Sequence, residues 1–246
     1  MEQAQVDLFY ALFGCAVFEA RQFKFRCPGI APQRERRRRA RRIIRHCHLA
    51  LTRSCGRLKP MSEIIFDAAV TLNGYLADEN HSLQWLFEVP GAQEPDPDLL
   101  PRNVGVHVEG ASTYLWLLEH ERLIENPHKW QDYYPGITTY VFTSRELPIP
   151  EGADVRLVNG PVAGVLPQIR GAAGEKNIWV LGGGELLGQF LDIDAIDTLA
   201  LTIAPVALAA GAPLLPRNIG SDRLELAEAR QAGPFARLVY RVRRAS

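Results

Sequence analysis

A run of three glycines in the second half of the chain has the spacing of a phosphate-binding turn. Gly182, Gly183 and Gly184 stand between the apolar residues 178–181 and the amphipathic residues 185–191. Glycine lets the backbone approach a ligand closely and adopt positive φ angles without a clash, and the free N–H groups of a helix N-terminus attract phosphate. This order predicts a buried strand, a turn and a helix that hold a phosphorylated ligand. The alternative is a tight turn in which the glycines only permit packing.

Two earlier predicted strands end in residues that suit the same ligand. Residues 110–114, Gly-Ala-Ser-Thr-Tyr, follow one strand, and Ser112 can cap a helix whose first N–H groups would hold a second phosphate. Thr143, Ser144 and Arg145 follow the next strand, where a guanidinium and two hydroxyls suit the 2′-phosphate that distinguishes NADP from NAD. Simple helix capping and an ordinary polar turn with a solvated arginine are the alternatives.

Apolar runs alternate with helix-like stretches along most of the chain. The predicted strands are 64–70, 104–108, 137–142, 155–158, 178–181 and 198–204, and the predicted helices are 82–88, 113–124, 162–172 and 185–191. Residues 224–229 and 236–242 alternate in polarity and predict a C-terminal hairpin. This order predicts an α/β fold with a mixed, mostly parallel sheet flanked by helices and closed by an antiparallel hairpin. Ligands then bind beyond the carboxyl ends of the strands.

The glycine run does not match the Rossmann fingerprint. Gly182 and Gly184 fit its first two positions, but Leu187 occupies the place of the next glycine, and the unit lies late in the chain. An ordinary Rossmann-type dehydrogenase is therefore disfavoured. No metal site is predicted, because no metal-ligand spacing relates the histidines His81, His107, His120 and His128.

Polar and aromatic residues after the first predicted strand suit the walls of a pocket. Asn73 and Tyr75 follow this strand, and Trp85 lies a little further along the chain. Such side chains suit a flat heterocycle, although Trp85 is equally consistent with an ordinary core residue. Asp67 lies inside the strand, where a carboxylate is unusual. We expect it to face solvent, and a functional acid is the alternative.

Charge divides the chain into two parts at about residue 60. Residues 1–60 hold 14 Lys and Arg against 4 Asp and Glu, whereas residues 61–246 hold 14 against 24. All four cysteines lie in the first part, and the two methionines are Met1 and Met61. Residues 1–60 are therefore predicted to be a basic extension that is disordered or not part of the native protein, and residues 61–246 to be the folded domain.

Three interpretations of the basic extension stay open. It is a translated upstream region before a start at Met61, an arginine-rich arm for nucleic acid or a membrane surface, or an export or organelle signal. The coincidence of charge, cysteine and methionine near residue 60 favours the first. The signal is the weakest interpretation, because the apolar residues 8–18 precede the basic block, whereas a secretory signal begins with positive charge.

The composition of residues 61–246 argues against several classes of protein. The excess of acidic residues is unfavourable for nucleic-acid binding. No apolar run reaches transmembrane length. The absence of cysteine from this part is consistent with the reducing cytoplasm. We therefore expect a cytoplasmic domain that binds neither membrane nor nucleic acid.

Four sequence motifs between residues 64 and 243 occur together in a known family. They are Ala-Val-Thr-Leu-Asn-Gly-Tyr-Leu-Ala at 69–77, Gly-Ala-Ser-Thr-Tyr at 110–114, the triple glycine with its helix, and the segment from Thr-Ile-Ala-Pro at 202–205 to Gly-Ala-Pro-Leu at 211–214. In this order they resemble the dihydrofolate-reductase superfamily. The branch they resemble is the C-terminal reductase domain of the bacterial riboflavin-biosynthesis deaminase-reductase.

The resemblance implies an NADPH-dependent reductase that transfers hydride to a pterin- or pyrimidine-like heterocycle. A 5-amino-6-(5-phosphoribosylamino)uracil reductase-like activity in riboflavin biosynthesis is the most specific expectation, and a homodimer is implied as well. A nucleotide-binding protein of the same fold without turnover is the alternative. The expected substrate-binding residues are Ala69, Asn73, Tyr75 and Trp85. The expected cofactor-binding residues are Gly110, Ser112, Thr113, Thr143, Ser144, Arg145, Gly182, Gly183, Gly184, Glu185 and Leu186.

Some positions depart from the family pattern. Ala111 stands where the family often has an arginine for cofactor phosphate, which assigns more of that task to Arg145. Asn73 replaces the usual aspartate of the first motif, and residues 209–210 alter the late glycine-rich turn.

The chain has no clear match to the proton-donating carboxylate of true dihydrofolate reductases. Asp78 and Glu88 are the candidates for a catalytic acid, and no other catalytic residue is assigned. Folate is therefore not the expected substrate.

Overall fold

The structure, a computed structural model, describes residues 62–92 and 99–245. Its strands are β1 (Ile64–Thr71), β2 (Tyr75–Ala77), β3 (Val104–Gly110), β4 (Thr138–Phe142), β5 (Val155–Val158), β6 (Asn177–Val180), β7 (Thr198–Ala204), β8 (Ala212–Pro213), β9 (Leu224–Ala232) and β10 (Phe235–Val242). Its helices are α1 (Gln84–Phe87), α2 (Ala111–Glu121), α3 (His128–Tyr133), α4 (Val162–Ala173) and α5 (Gly184–Asp192), and a 3-10 turn covers Ser221–Arg223. The predicted basic extension, residues 1–60, lies outside the described residues.

Eight strands form one mixed sheet in the order β5-β4-β3-β6-β1-β7-β10-β9. The first six run parallel, and β10 pairs antiparallel with both β7 and β9. β1 is central, with Phe66 opposite Val180 on β6 and Leu199 on β7. β2 and β8 form a separate antiparallel pair. Because the parallel strands share a direction, the carboxyl ends of β1, β3, β4 and β6 lie at one edge of the sheet.

The two faces of the sheet are packed differently. The face under α4 and α5 is apolar and includes Phe66 and Phe190. The face under α2 and α3 carries an aromatic cluster that includes Tyr114, Trp130 and Tyr134. Removing this apolar area from water, at about 25 cal/mol per Å², holds the helices against the sheet.

The second face also buries polar side chains. They are Asp67, His107, Glu109, Thr139, Thr202 and Arg237. The His107 ring meets the rings of Tyr134 and Trp179 edge to face, with centroids 5.1 and 5.3 Å away. Burial lowers the pKa of His107 to about 3 and raises the pKa of Glu109 to about 8. Both side chains are therefore mostly uncharged near neutral pH.

The predicted α/β fold with its mostly parallel sheet and C-terminal hairpin is confirmed. The predicted helix 82–88 is shorter, since only Gln84–Phe87 is helical. The sequence patterns missed α3 and the short β2–β8 pair, which have too few residues to show a period. In the part of the chain that the structure describes, no helix is long and apolar enough to cross a membrane.

Asp67 does not face solvent, so this expectation was wrong. Its side chain is buried, and Arg237 on β10 reaches it across β7. Arg237 Nη1 donates to Asp67 Oδ1 at 2.7 Å, and Nη2 donates to Oδ2 at 2.5 Å. Arg237 also donates to Thr202 Oγ1 at 3.0 Å and to the Leu99 carbonyl oxygen at 2.7 Å. The alternation of apolar and polar residues along the strand could not reveal Arg237 as the partner of Asp67, because Arg237 lies 170 positions further along the chain.

Candidate functional site

A cleft of about 370 Å³ opens at the carboxyl ends of β1 and β6, between α2 and the loop that carries α1. Its apolar lining consists of Ala68, Ala69, Leu76, Ala77, Leu83, Trp85, Leu86, Trp116, Leu181, Ala212, Pro213 and Pro216. Its other lining residues are His81, Ser112, Thr113, Gly182, Gly183, Gly184 and Glu185. An apolar pocket with a few polar groups is the usual form of a small-molecule site.

Each of the three glycines meets a different local requirement. A Cβ at Gly182 would lie 2.9 Å from Thr113 Oγ1, and a Cβ at Gly184 would lie 2.1 Å from the Pro213 carbonyl oxygen. Gly183 has a φ of 89°, in the left-handed region that side chains disfavour. The glycines therefore allow the β6–α5 turn, the start of α2 and the β8 segment to meet around the cleft.

Two helix N-termini line this cleft. Ser112 and Thr113 come from the first turn of α2, and Glu185 comes from the first turn of α5. The N-cap residues, Gly110 and Gly183, make no side-chain capping hydrogen bond. The uncapped N–H groups and the helix dipoles give both ends a positive character. The arrangement suits an anionic ligand such as a phosphate.

The cleft residue Glu185 forms an ion pair that the sequence did not reveal. Arg217 Nη2 donates to Glu185 Oε1 at 2.7 Å, and Nη1 donates to Oε2 at 2.9 Å. Arg217 Nε donates to Asp192 Oδ2 at 3.2 Å. The hydrogen bonds from Arg217 lower the pKa of the Glu185 carboxyl. Glu185 is therefore an ionised, paired side chain, and its negative charge is compensated beside the start of α5.

Asn73, expected to contact substrate, joins two loops instead of lining the cleft. Its Nδ2 donates to the Leu208 carbonyl oxygen at 2.7 Å, and its Oδ1 accepts the Leu208 N–H at 3.1 Å. Thr71 Oγ1 donates to the same Oδ1 at 3.0 Å. These bonds hold the late loop beside the end of β1.

The other expected substrate residues are placed in two ways. Ala69 and Trp85 line the cleft. Trp85 also packs with Leu86 and Val89 in a buried cluster, so it is both a core residue and a cleft wall. Tyr75 does not line the cleft but lies on β2, where its N–H donates to Thr71 Oγ1 at 2.9 Å.

Neither candidate acid lines the cleft. Asp78 Oδ1 accepts the N–H groups of Asn80 at 2.9 Å and Ser82 at 2.8 Å, so this carboxylate organises its own loop. Glu88 is exposed and accepts a hydrogen bond from Gln84 Nε2 at 3.2 Å. The structure thus separates both carboxylates from the cleft lining.

The turn after β4 lies outside the cleft lining as well. Thr143 Oγ1 accepts the Arg145 N–H at 3.0 Å, which closes a tight turn. Ser144 and Arg145 are exposed. Of the remaining predicted residues, Gly110 is the N-cap of α2, and Leu186 packs in the apolar core under α5.

A stack of three rings supports one wall of the cleft. The Trp116 ring, which lines the cleft, lies on His120 with 4.5 Å between centroids and 15° between planes. The His120 ring lies on Phe87 of α1, with 5.5 Å between centroids. Burial lowers the pKa of His120. The stack joins α2 to α1 and gives the cleft a flat aromatic surface that no sequence motif marks.

His81 lines the cleft from the loop between β2 and α1. Its φ of 58° is left-handed, and its N–H donates to the Asp78 carbonyl oxygen at 3.0 Å. The spacing of histidines along the sequence is informative about metal ligands alone, so it does not mark His81 as a cleft residue.

Comparison with known sequences identifies relatives of the chain. The family model of the RibD C-terminal domain matches residues 136–236. An uncharacterized protein of Bacillus subtilis (strain 168), YwjB, is 31% identical over 172 residues, which cover 70% of this chain and 93% of that protein. A second uncharacterized protein of the same bacterium, YyaP, is 25% identical over 154 residues, which cover 61% of this chain and 79% of that protein.

Solved structures share the fold at lower identity. A protein from Shewanella sp. PV-4 assigned to riboflavin biosynthesis is 23% identical with a TM-score of 0.55, over 75% of this chain and 100% of the other. A pyrimidine reductase-like protein of Corynebacterium diphtheriae is 16% identical with a TM-score of 0.50, over 75% of this chain and 93% of that protein. A deaminase/reductase of Thermotoga maritima is 14% identical with a TM-score of 0.51, over 74% and 57%.

These comparisons agree with the motifs and with the sheet. The match to YwjB extends over nearly the whole of that protein. The family model covers the part of this chain from β4 to the C-terminal hairpin. The chain belongs to the RibD C-terminal domain family, within the dihydrofolate-reductase superfamily.

Proposed function

We propose that this protein is an NADPH-dependent reductase that transfers hydride to a pterin- or pyrimidine-like heterocycle. The substrate that we favour is 5-amino-6-(5-phosphoribosylamino)uracil. The observation that carries the proposal is the pair of uncapped helix N-termini, of α2 and α5, at one apolar cleft. Such a combination suits a ligand with both phosphates and flat rings.

The residues around the cleft fit a pyridine dinucleotide. The N–H groups at the start of α2 and α5, around Thr113 and Gly184, suit its phosphates. The Arg145 guanidinium makes no hydrogen bond within residues 62–92 and 99–245, so it is available for a 2′-phosphate. When bound, NADPH supplies the hydride. The apolar walls, Ala69 and Leu181 among them, orient the rings and exclude water.

A flat heterocycle is supported by the aromatic walls and by the relatives. Trp116 and Trp85 both line the cleft, and aromatic faces favour stacked rings. The Thermotoga maritima protein is a 5-amino-6-(5-phosphoribosylamino)uracil reductase joined to a deaminase, and the Corynebacterium diphtheriae protein is pyrimidine reductase-like. This chain spans 57% of the Thermotoga maritima protein, and the proposal includes only the reductase activity.

Cofactor binding and turnover test the proposal separately. NADPH and NADH are titrated into the full chain, with tryptophan fluorescence as the readout because Trp85 and Trp116 line the cleft. We expect NADPH to bind more tightly than NADH, and the uracil substrate to oxidise NADPH in a one-to-one ratio. If NADPH does not bind at millimolar concentration, the reductase is contradicted, and so is any nucleotide-binding role.

A nucleotide-binding protein of the same fold without turnover is a second candidate. One observation favours it: Glu185 is the only carboxylate among the described residues that line the cleft, and Arg217 holds it as an ion. Tight NADPH binding without oxidation by the uracil substrate would support this candidate over the reductase.

The cytoplasmic location and the homodimer expected from the sequence stay predictions. Light scattering on the full chain tests the homodimer, and a monomer at micromolar concentration would contradict it.

A further inference from the structure

We propose that His81 is the proton donor of this reductase and acts on the heteroatom of the double bond that is reduced. The proposal rests on the proposed function and deepens it. The juxtaposition that carries it is a histidine on the cleft wall, in a hydrogen-bonded loop. Among the described residues that line this cleft, the one other ionisable residue, Glu185, is already paired with Arg217.

Elimination among the lining residues leads to His81. Within the described chain, the ionisable side chains that line the cleft are His81 and Glu185. Glu185 cannot serve as an acid, because two hydrogen bonds from Arg217 hold it as a carboxylate. The His81 imidazole is exposed and makes no hydrogen bond to any other described residue. Histidine is also the side chain that most readily exchanges a proton near neutral pH.

The loop around His81 fixes its backbone. Asp78 Oδ1 accepts the N–H groups of Asn80 and Ser82, and the Asp78 N–H donates to the Ser82 carbonyl oxygen at 3.1 Å. The His81 N–H donates back to Asp78, which closes a turn with His81 in the left-handed region. Asp78, one of the two expected acids, therefore positions the loop that carries His81 at the cleft wall.

The chemistry balances with one proton from His81. Reduction of a C=N or C=O bond adds one hydride and one proton, which together are two electrons and two protons. The carbon accepts the hydride that NADPH supplies, the π bond breaks, and its electron pair moves to the heteroatom. The heteroatom then takes the N–H proton of the protonated His81 ring, which forms a new N–H or O–H bond. Because His81 is exposed, its neutral ring regains a proton from solvent.

A pH profile of activity must distinguish the effect of His81 from the effects of the other titratable groups near this site. Asp78 and Glu79 share its loop, Glu185 shares its cleft, and His120 lies on α2 behind the aromatic wall. Of these, Glu79 is exposed in the same loop as the imidazole.

The variant His81→Asn tests the assignment. Asparagine also accepts the left-handed backbone but has no proton to donate. We expect kcat to fall by about 100-fold or more, the NADPH dissociation constant to change by less than about twofold, and the limb of the kcat/KM pH profile that reports the protonated imidazole to disappear. The matched controls are His128→Asn on the exposed surface of α3 and Glu79→Gln in the same loop, and both should retain the wild-type rate and profile.

A second readout does not need turnover. The ring signals of His81 in an NMR spectrum of the full chain are assigned by their loss in His81→Asn. They should shift when 5-amino-6-(5-phosphoribosylamino)uracil is added, and unchanged signals would overturn the assignment. If the wild type oxidises NADPH and His81→Asn does so at the same rate, the role of His81 is overturned and the proposed reductase activity stands. A wild-type protein that neither binds nor oxidises NADPH would overturn both.

Discussion

Arg237 on β10 holds Asp67 on β1 from two strands away, with hydrogen bonds of 2.7 and 2.5 Å between the guanidinium and the carboxylate. Both side chains are buried, with 5% of the Arg237 side chain and 7% of the Asp67 side chain exposed. Burial raises the pKa of Asp67 to about 6, against the opposing effect of the guanidinium. The pair connects the parallel part of the sheet to the C-terminal hairpin, close below the cleft residue Ala69.

Removing one member of this pair should be strongly destabilising. In Arg237→Met the Asp67 carboxyl stays buried without its partner, and we expect a loss of about 3–5 kcal/mol in the free energy of unfolding, measured by urea denaturation. Arg241→Met, an exposed change on the same strand, is the control and should cost less than about 0.5 kcal/mol. The double variant Asp67→Leu/Arg237→Met should recover part of the loss, and no recovery would contradict the pairing argument.

Glu109 should make the stability decrease as pH rises. Burial raises its pKa from 4.5 to about 8, so the folded protein binds a proton that the unfolded chain releases at lower pH. Its contribution is fully present below pH 4.5 and is lost as pH rises toward about 8. Urea denaturation at several pH values should show a shallower decline for Glu109→Gln than for the wild type. If the free energy of unfolding falls equally with pH in the wild type and in Glu109→Gln, a raised pKa of Glu109 is excluded.

Gly184 should tolerate no side chain. In Gly184→Ala the new Cβ would lie 2.1 Å from the Pro213 carbonyl oxygen, which is backbone and cannot yield without moving the β8 segment. We expect a loss of about 1–3 kcal/mol in the free energy of unfolding and weaker NADPH binding. The matched control is Gly164→Ala in α4, where nothing lies within 4 Å of the added Cβ. It should stabilise the helix by about 0.5–1 kcal/mol, and a similar loss in both variants would contradict the packing argument.

Arg145 should distinguish NADPH from NADH. If its exposed guanidinium contacts a 2′-phosphate, Arg145→Ala should weaken NADPH binding by about tenfold, which is about 1.4 kcal/mol, and leave NADH binding unchanged. Arg241→Ala, exposed on the hairpin, is the control for the loss of one positive charge. Fluorescence titration with NADPH and with NADH gives the ratio of the two dissociation constants for each variant. An equal effect on NADPH and NADH would remove Arg145 from the 2′-phosphate site.

Much of the fold and part of the site followed from local patterns. The period of apolar residues predicted β1, β3 to β7 and the C-terminal hairpin, because a buried strand or an amphipathic helix carries its pattern in consecutive residues. The glycine run indicated that Gly182 would lie near a ligand, and the predicted helix start after β3 indicated the same for Thr113. Trp85 was expected either as a pocket wall or as a core residue, and all three residues line the cleft. Asn73 and Asp78 were less predictable, because each uses its polar atoms within or between loops.

The sequence alone determined the order of strands and helices, the glycines that permit close packing, and the family, since these depend on residue type and on spacing along the chain. Only the tertiary structure decided which distant side chains meet. Asp67 with Arg237 and Glu185 with Arg217 are separated by 170 and 32 positions. His81 enters the cleft wall only because its loop closes on Asp78 and packs beside the start of α1. Ionisable groups take their roles from such neighbours and from burial, and neither is written in the local sequence.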